Sequence, residues 1–366
     1  MARFSLNPLL LLGRPGARAL VRSLPLSLFL LFLAVFPVLV KKPYPVHMGV
    51  ILFLAVLQGS AWNVIGGYAG QYSVGHAAYF GAGAYTVVLL LERLHLAPWF
   101  GLPFAMVSAV AVALLVGSIT FRLRGPYFVL ASIAVAEIIR LAALYFRGLT
   151  HGAEGFVVAE APTLHLLGAT VSFAGKRPFY YLTLLLAAAA VAASRAVLRS
   201  RLGYSLLAIR EDQDAAHSLG IDLSKNKMIA LVISAALTGL AGAVFAGFSR
   251  FVDPTSAFGL DVSVQMVLVA ILGGIGTVEG PVIGAFLLVP LDEVLRNPRG
   301  LVTVGLLPTG SALVAFIQRY LSQAHLLVYG LLLVLVILFA PEGVAGLLRR
   351  FGFRRPGTPP ESSPAP

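Results

Sequence analysis

The sequence predicts an all-α polytopic membrane protein, a bundle of about 8–10 transmembrane helices with glycine-interrupted helices and a short amphipathic helix on the cytoplasmic side. Of its 366 residues, 58% are hydrophobic and only 11% charged, against about 25% charged in an ordinary soluble domain. The apolar residues fall in runs long enough to cross a hydrocarbon core about 30 Å thick. These runs exceed strand length and lack the two-residue alternation of an outer-membrane barrel, so no strand is required anywhere. Lys and Arg sit in short clusters between the runs, and the net charge of +12 therefore reads as membrane topology rather than as a nucleic-acid footprint. Cysteine is absent, which removes disulfides, thiolate catalysis and Cys-ligated metal together.

In order, the apolar runs are 24–40, 46–65, 74–91, 99–121, 127–146, 179–198, 228–249, 262–290 and 326–345, with 301–318 either a further span or a surface or re-entrant segment. Arg14, Arg18 and Arg22 precede the first run as they would in a signal peptide, but no small-residue cleavage site follows, so it is a retained span. With the N-terminus inside, sixteen Lys and Arg residues fall in the inner loops and tails and seven in the outer loops, the bias expected of cytoplasmic segments. Both termini are then cytoplasmic if 262–290 and 301–318 both span, or if 262–290 is a broken hairpin and 301–318 lies outside the bilayer. The chain divides into a basic cytoplasmic segment (1–23), a transmembrane domain (24–345) and a basic, then Pro/Ser-rich tail (346–366) expected to be disordered. Within the domain lie an outer loop (147–178) and an inner loop (199–227).

Four segments carry the chemistry. In the first, Gly66, Gly67 and Gly70 interrupt a helix, and Ser73 is placed to cap a new one from Val74. Unpaired N–H groups at that helix start would suit a substrate carboxylate, with Gly70, Gln71, Ser73, His76 and Tyr79 as pathway candidates. The other reading is close helix packing through small residues, with His76 bonded to a nearby carbonyl. In the second, Glu137 and Arg140 share one side of a span, as a proton relay or gate, or as a neutralised structural pair. The third is a break at Gly273, Gly274, Gly276 and Gly280, where Pro281 suits the first turn of a new helix and Glu279 is a solvated turn residue. Two such breaks, one in each half, fit a transporter with a site between them. The fourth is a short amphipathic helix at 203–220. Its polar edge carries Glu211, Asp212 and Asp214 rather than the basic residues a headgroup-binding helix needs, so it docks on a partner. No phosphate-binding loop and no H-E-x-x-H or G-x-S-x-G motif occurs; neither metal nor cofactor is implied.

With these residues in view, the chain resembles the LivM-like permease subunit of the ABC importers for branched-chain amino acids. The likeness is carried by Gly67 to Tyr85, by Gly125-Pro-Tyr-Phe through Glu137 and Arg140 to Thr150, Gly152 and Gly155, by Arg210 to Gly220, and by Leu272 to Gly284, with Pro341-Glu-Gly343 as a fainter echo. The resemblance implies transport without enzymatic activity of the chain itself. It also implies two separate ATPase subunits, a second related permease subunit, an external substrate-binding protein and a bacterial-type inner membrane, with no nucleic acid. Asp214-Ala-Ala-His-Ser-Leu-Gly220 resembles the E-A-A-x-x-x-G coupling pattern, Asp replacing Glu, which makes Arg210, Glu211, Asp214, Ala215, Ala216 and Gly220 the residues facing the ATPase. The outer loop and Arg250 to Ser256 would lie under the binding protein. The segment 296–323 departs from the pattern as an insertion. Alternatives are a permease for urea or short amides, a proton-coupled secondary carrier using Glu137, and an intramembrane enzyme centred on His76.

Overall fold

The computed structural model describes residues 28–40, 42–94, 98–158, 163–166, 169–173 and 175–296, with scattered positions between 327 and 346. The expected spans 301–318 and most of 326–345, the insertion at 296–323 and both terminal segments lie outside the described residues. The fold is an all-α membrane bundle, as the composition requires. Helix α1 covers Leu28–Leu39. It is followed by α2 (Pro43–Asn63), α3 (Ala77–Leu94), α4 (Pro98–Thr120), α5 (Pro126–Tyr145), a short α6 (Arg147–Thr150) and α7 (Lys176–Arg199). The inner loop forms α8 (Arg201–Glu211) and α9 (Gln213–Ser218), and the chain continues through α10 (Leu223–Ser249), α11 (Pro254–Phe258), α12 (Leu260–Gly274) and α13 (Gly280–Arg296). Among the described residues six helices are long and apolar enough to cross a bilayer.

Helix α2 is central: 78% of its span is buried inside the protein, against 22% for α5 and α7. Val50, Leu57 and Trp62 of α2 pack with Tyr180 of α7, Met266 and Val269 of α12 and Leu288 of α13 in the main core cluster. Lipid is as apolar as leucine, so helix association in a bilayer depends on close packing and hydrogen bonds. Helices α3 and α10 meet backbone to backbone, Gly83 against the Gly239 carbonyl and Gly242 against the Phe80 carbonyl.

The run 262–290 is a broken hairpin. Gly284 of α13 lies against the Val269 carbonyl of α12, and Gly273 against Gly280, so the two helices pass antiparallel.

Strands do occur, contrary to the sequence expectation. Phe156–Val157 (β1) pairs antiparallel with Phe251–Val252 (β4), and Thr163–Leu166 (β2) with Ala169–Ser172 (β3). They were missed because segments of two to four residues carry no usable periodicity. The β1–β4 pair physically joins the loop after α5 to the loop after α10.

Candidate functional site

The first break is built at the end of α2. The helix widens into a π-turn at Val64–Tyr68, and Gly66 leaves room for the Trp62 ring that folds over it. The Trp62 indole N–H donates to the Ser73 carbonyl at 2.7 Å, which turns residues 69–76 back into the bundle. Irregular backbone at membrane depth is tolerated only where protein satisfies it. Here serines do so: the Val74 N–H donates to Ser132 Oγ of α5 at 3.0 Å, and the Ala77 N–H to Ser263 Oγ of α12 at 2.8 Å. Two expectations change as a result. Helix α3 begins at Ala77, not Val74, because the one backbone N–H that the Ser73 hydroxyl accepts is that of Gly75, at 3.4 Å. The donors expected to be open to a substrate carboxylate at Val74 and Ala77 are occupied by hydroxyls of this chain.

His76 is fully buried. Its Nε2 lies 2.8 Å from Ser234 Oγ, and that hydroxyl donates its single hydrogen to the Ala61 carbonyl at 2.7 Å. Ser234 must then accept from His76 Nε2–H, leaving Nδ1 to accept from the Ser73 hydroxyl at 3.0 Å. For a neutral imidazole this wiring fixes the tautomer, with the hydrogen on Nε2. Tyr79 sets its ring edge-on to His76 with centroids 5.2 Å apart, and Gln71, also buried, donates to the Ala69 carbonyl at 3.3 Å. His76→Ala would leave the two hydroxyls short of a partner and open a cavity, a cost of about 2–4 kcal/mol. A lower unfolding midpoint in detergent is expected, partly restored by His76→Gln, whose amide can both donate and accept. A wild-type midpoint for His76→Ala would refute this wiring.

The second break closes on the first. Asn63, the last residue of α2 and fully buried, accepts from the Gly276 N–H at 2.9 Å and donates to the Thr277 carbonyl at 2.8 Å. Thr277 clasps the turn: its hydroxyl donates to the Gly274 carbonyl at 2.8 Å and accepts from the Gly280 N–H at 3.0 Å. Gly276 takes φ +75°, and a side chain there would strike the Arg210 guanidinium. Arg210, from the last turn of α8, donates to the Gly67 carbonyl at 3.0 Å and runs its stem past Gly70. Both glycine breaks and the inner loop therefore converge on one point. Glu279 is exposed in the turn, as expected of a solvated residue.

The inner loop is two helices rather than one. Asp212 has extended dihedrals and its carboxylate caps α9, accepting from the N–H groups of Asp214 and Ala215 at 2.8 and 2.9 Å. An Asp that finds its own backbone donors competes with helix continuation. Gly220, with φ +82°, ends α9. Leu206, Ile209 and Ala216 point into the protein, while Tyr204 is 71% and Leu219 81% exposed. Glu211 pairs with Arg210 at 3.1 Å, and Asp214 with Arg124 at 2.8 Å. Lys227 donates to Gln213 Oε1 at 2.8 Å, fastening α9 to α10.

Glu137 and Arg140 form a bidentate pair, with Arg140 Nε 2.9 Å from Glu137 Oε2. It sits apart from the His76 knot, among the exposed Leu130, Ile138 and Leu141 of α5, while Ser132 on the buried side of α5 holds the break. The sequence reading missed Asn63, Ser132, Ser234, Ser263, Arg124 and Lys227. An amide ending an apolar run was a usable signal for Asn63. Isolated serines among small residues gave none.

A helical bundle with two glycine breaks stitched together inside it, and an inner loop anchored at that seam, defines a polytopic membrane permease. More particularly, the chain belongs to the branched-chain amino acid transport system permease component family, whose model matches residues 46–340. It is 29% identical over 340 residues to the high-affinity branched-chain amino acid transport system permease protein LivM of Escherichia coli (strain K12), covering 87% of this chain and 74% of that protein. Against LivM of Salmonella typhimurium (strain LT2) identity is 28%, covering 88% and 76%. A shorter match, 31% over 128 residues, covers 34% of this chain and 36% of the autoinducer 2 import system permease protein LsrC of Klebsiella pneumoniae. No solved structure matches the chain.

Proposed function

We propose that the chain is the permease subunit of an ATP-driven importer, forming part of the path for leucine, isoleucine and valine across a bacterial inner membrane, with both termini cytoplasmic. The observation that carries the ATP-driven reading is the α8–α9 unit. It presents Tyr204 and Leu219 outward while Arg210 reaches inward to the glycine seam, the arrangement needed to dock an ATPase and act on the path. Two ATPase subunits hydrolyse the nucleotide, and this chain itself has no enzymatic role. An external binding protein rests on the loops joined by β1 and β4. A second related permease subunit covers α5, because the Glu137–Arg140 pair breaks an otherwise apolar exposed stripe that hydrocarbon would cover only at high cost. A proton-coupled carrier built on Glu137 is disfavoured, since Arg140 engages both carboxylate oxygens.

Charge reversal tests the docking assignment. The Arg124–Asp214 pair is 61% and 79% exposed, so its loss costs the fold no more than about 1 kcal/mol. Asp214→Lys is expected to insert normally and to lose the ATPase subunits on co-purification. Retention of the ATPases at the wild-type ratio would overturn the assignment.

A further inference from the structure

We infer that Arg210 is the positioning residue through which the docking loop moves both glycine breaks at once. The inference rests on the function proposed above and deepens it, naming the link between ATPase-driven movement and the path.

One guanidinium touches both breaks. Its Nη1 donates to the Gly67 carbonyl at 3.0 Å, where the π-turn of α2 ends, and the same nitrogen lies within reach of any Cβ placed on Gly276 at the end of α12. Asn63 already ties those two segments by two hydrogen bonds, so a pull on Gly67 is passed to Gly276 and Thr277. The local dihedrals say where such a pull would be absorbed. Gly70, Gly274 and Gly276 have φ of +66°, +131° and +75°, unlike the regular helices around them. Hinges are the few residues at element ends that take up large φ/ψ changes. Arg210 is rigidly carried in turn: it closes α8, whose Leu206 and Ile209 are buried to 0% and 1% exposure, and Asp212 starts α9 two residues later. A displacement of α8–α9 by a docked partner must therefore either drag Gly67 or break the Arg210 bond. A residue that only capped the π-turn would have no reason to lie against Gly276 as well.

The test uses the complete complex, with ATPases, second permease and binding protein, in proteoliposomes supplied with ATP and radiolabelled leucine. Arg210→Met keeps the stem and removes every donor, and Arg210→Lys keeps one donor and the charge. For Arg210→Met, retained ATPase subunits and an uptake rate lower by about tenfold or more are expected, since a charge-assisted hydrogen bond is lost. ATP hydrolysed per leucine imported should rise by the same factor, with partial return in Arg210→Lys. Uptake within about twofold of wild type for both variants would overturn the inference. So would loss of uptake together with loss of the ATPase subunits, which would make Arg210 a docking residue only. If Arg210→Met does not fold, Arg210→Lys decides alone: an unchanged ATP-to-leucine ratio overturns the inference. A wild-type complex without ATP-dependent leucine uptake would instead bring down the proposed function, and with it this inference.

Discussion

Asn63→Leu is expected to be among the most damaging single substitutions in the bundle. The asparagine amide serves two backbone groups in another helix pair, the Gly276 N–H and the Thr277 carbonyl. Removing it strands a partly buried donor and a partly buried acceptor, each costing up to about 1–3 kcal/mol when left unsatisfied. Leucine also branches where Gly67 leaves space only for the amide oxygen. A loss of about 2–6 kcal/mol follows, read as a lower midpoint in thermal unfolding of the detergent-solubilised protein. Asn63→Asp separates the two bonds. It keeps the acceptor for Gly276 but sets an oxygen against the Thr277 carbonyl, so it is expected to recover little. A midpoint for Asn63→Leu equal to wild type would show that the seam is not held by this residue.

Gly273→Val has the second large expected effect. A Cβ on Gly273 would strike the Gly280 carbonyl oxygen and stand 2.7 Å from the Gly284 nitrogen. Those atoms are backbone and cannot swing aside as a side-chain tip could. Overpacking a well-packed site costs about 1–3 kcal/mol, occasionally more, and here the only relief is separation of α12 from α13. That separation would draw Gly276 off Asn63, so uptake should fall together with stability. Gly148→Ala is the control: nothing lies within 4 Å of a Cβ there, and a change within about 0.5 kcal/mol is expected. Equal midpoints for Gly273→Val and Gly148→Ala would mean that the hairpin is not close-packed at Gly273.

The membrane class was legible because it depends on sums: apolar content, run length and charge clustering survive any error in a single helix boundary. The glycine breaks were legible as interruptions, since Gly66, Gly67, Gly274 and Gly276 stand in otherwise apolar stretches. Their partners were not. Ser132, Ser234 and Ser263 act through positions fixed by helix packing, and a serine in an apolar helix reads the same whether its hydroxyl meets a distant N–H or its own preceding turn. Ser73 was assigned the capping role that Ser263 performs, because local spacing favoured it and only the fold brings Ser263 close. The bend at Asp212 was hidden for a related reason. The amphipathic pattern runs on through 203–220, while the carboxylate that divides it works on N–H groups two and three residues ahead. Arg210 is expected on the ATPase-facing edge; that one of its nitrogens also reaches the Gly67 carbonyl, while another stays paired with the exposed Glu211, is a contact that composition does not encode.

The long sequence separation of these bonds bears on how the protein is made. His76 waits 158 residues for Ser234, Ala77 waits 186 for Ser263, and Asn63 waits 213 and 214 for Gly276 and Thr277. During synthesis the first hairpin therefore enters the bilayer with its amide, imidazole and backbone donors lacking their final partners. It must hold water, or remain at the insertion machinery, until α12 arrives. Maturation of the amino-terminal half is thus timed by the carboxy-terminal half, and a chain truncated before α12 should be recognised by membrane quality control as unfinished rather than persist as a stable half-transporter.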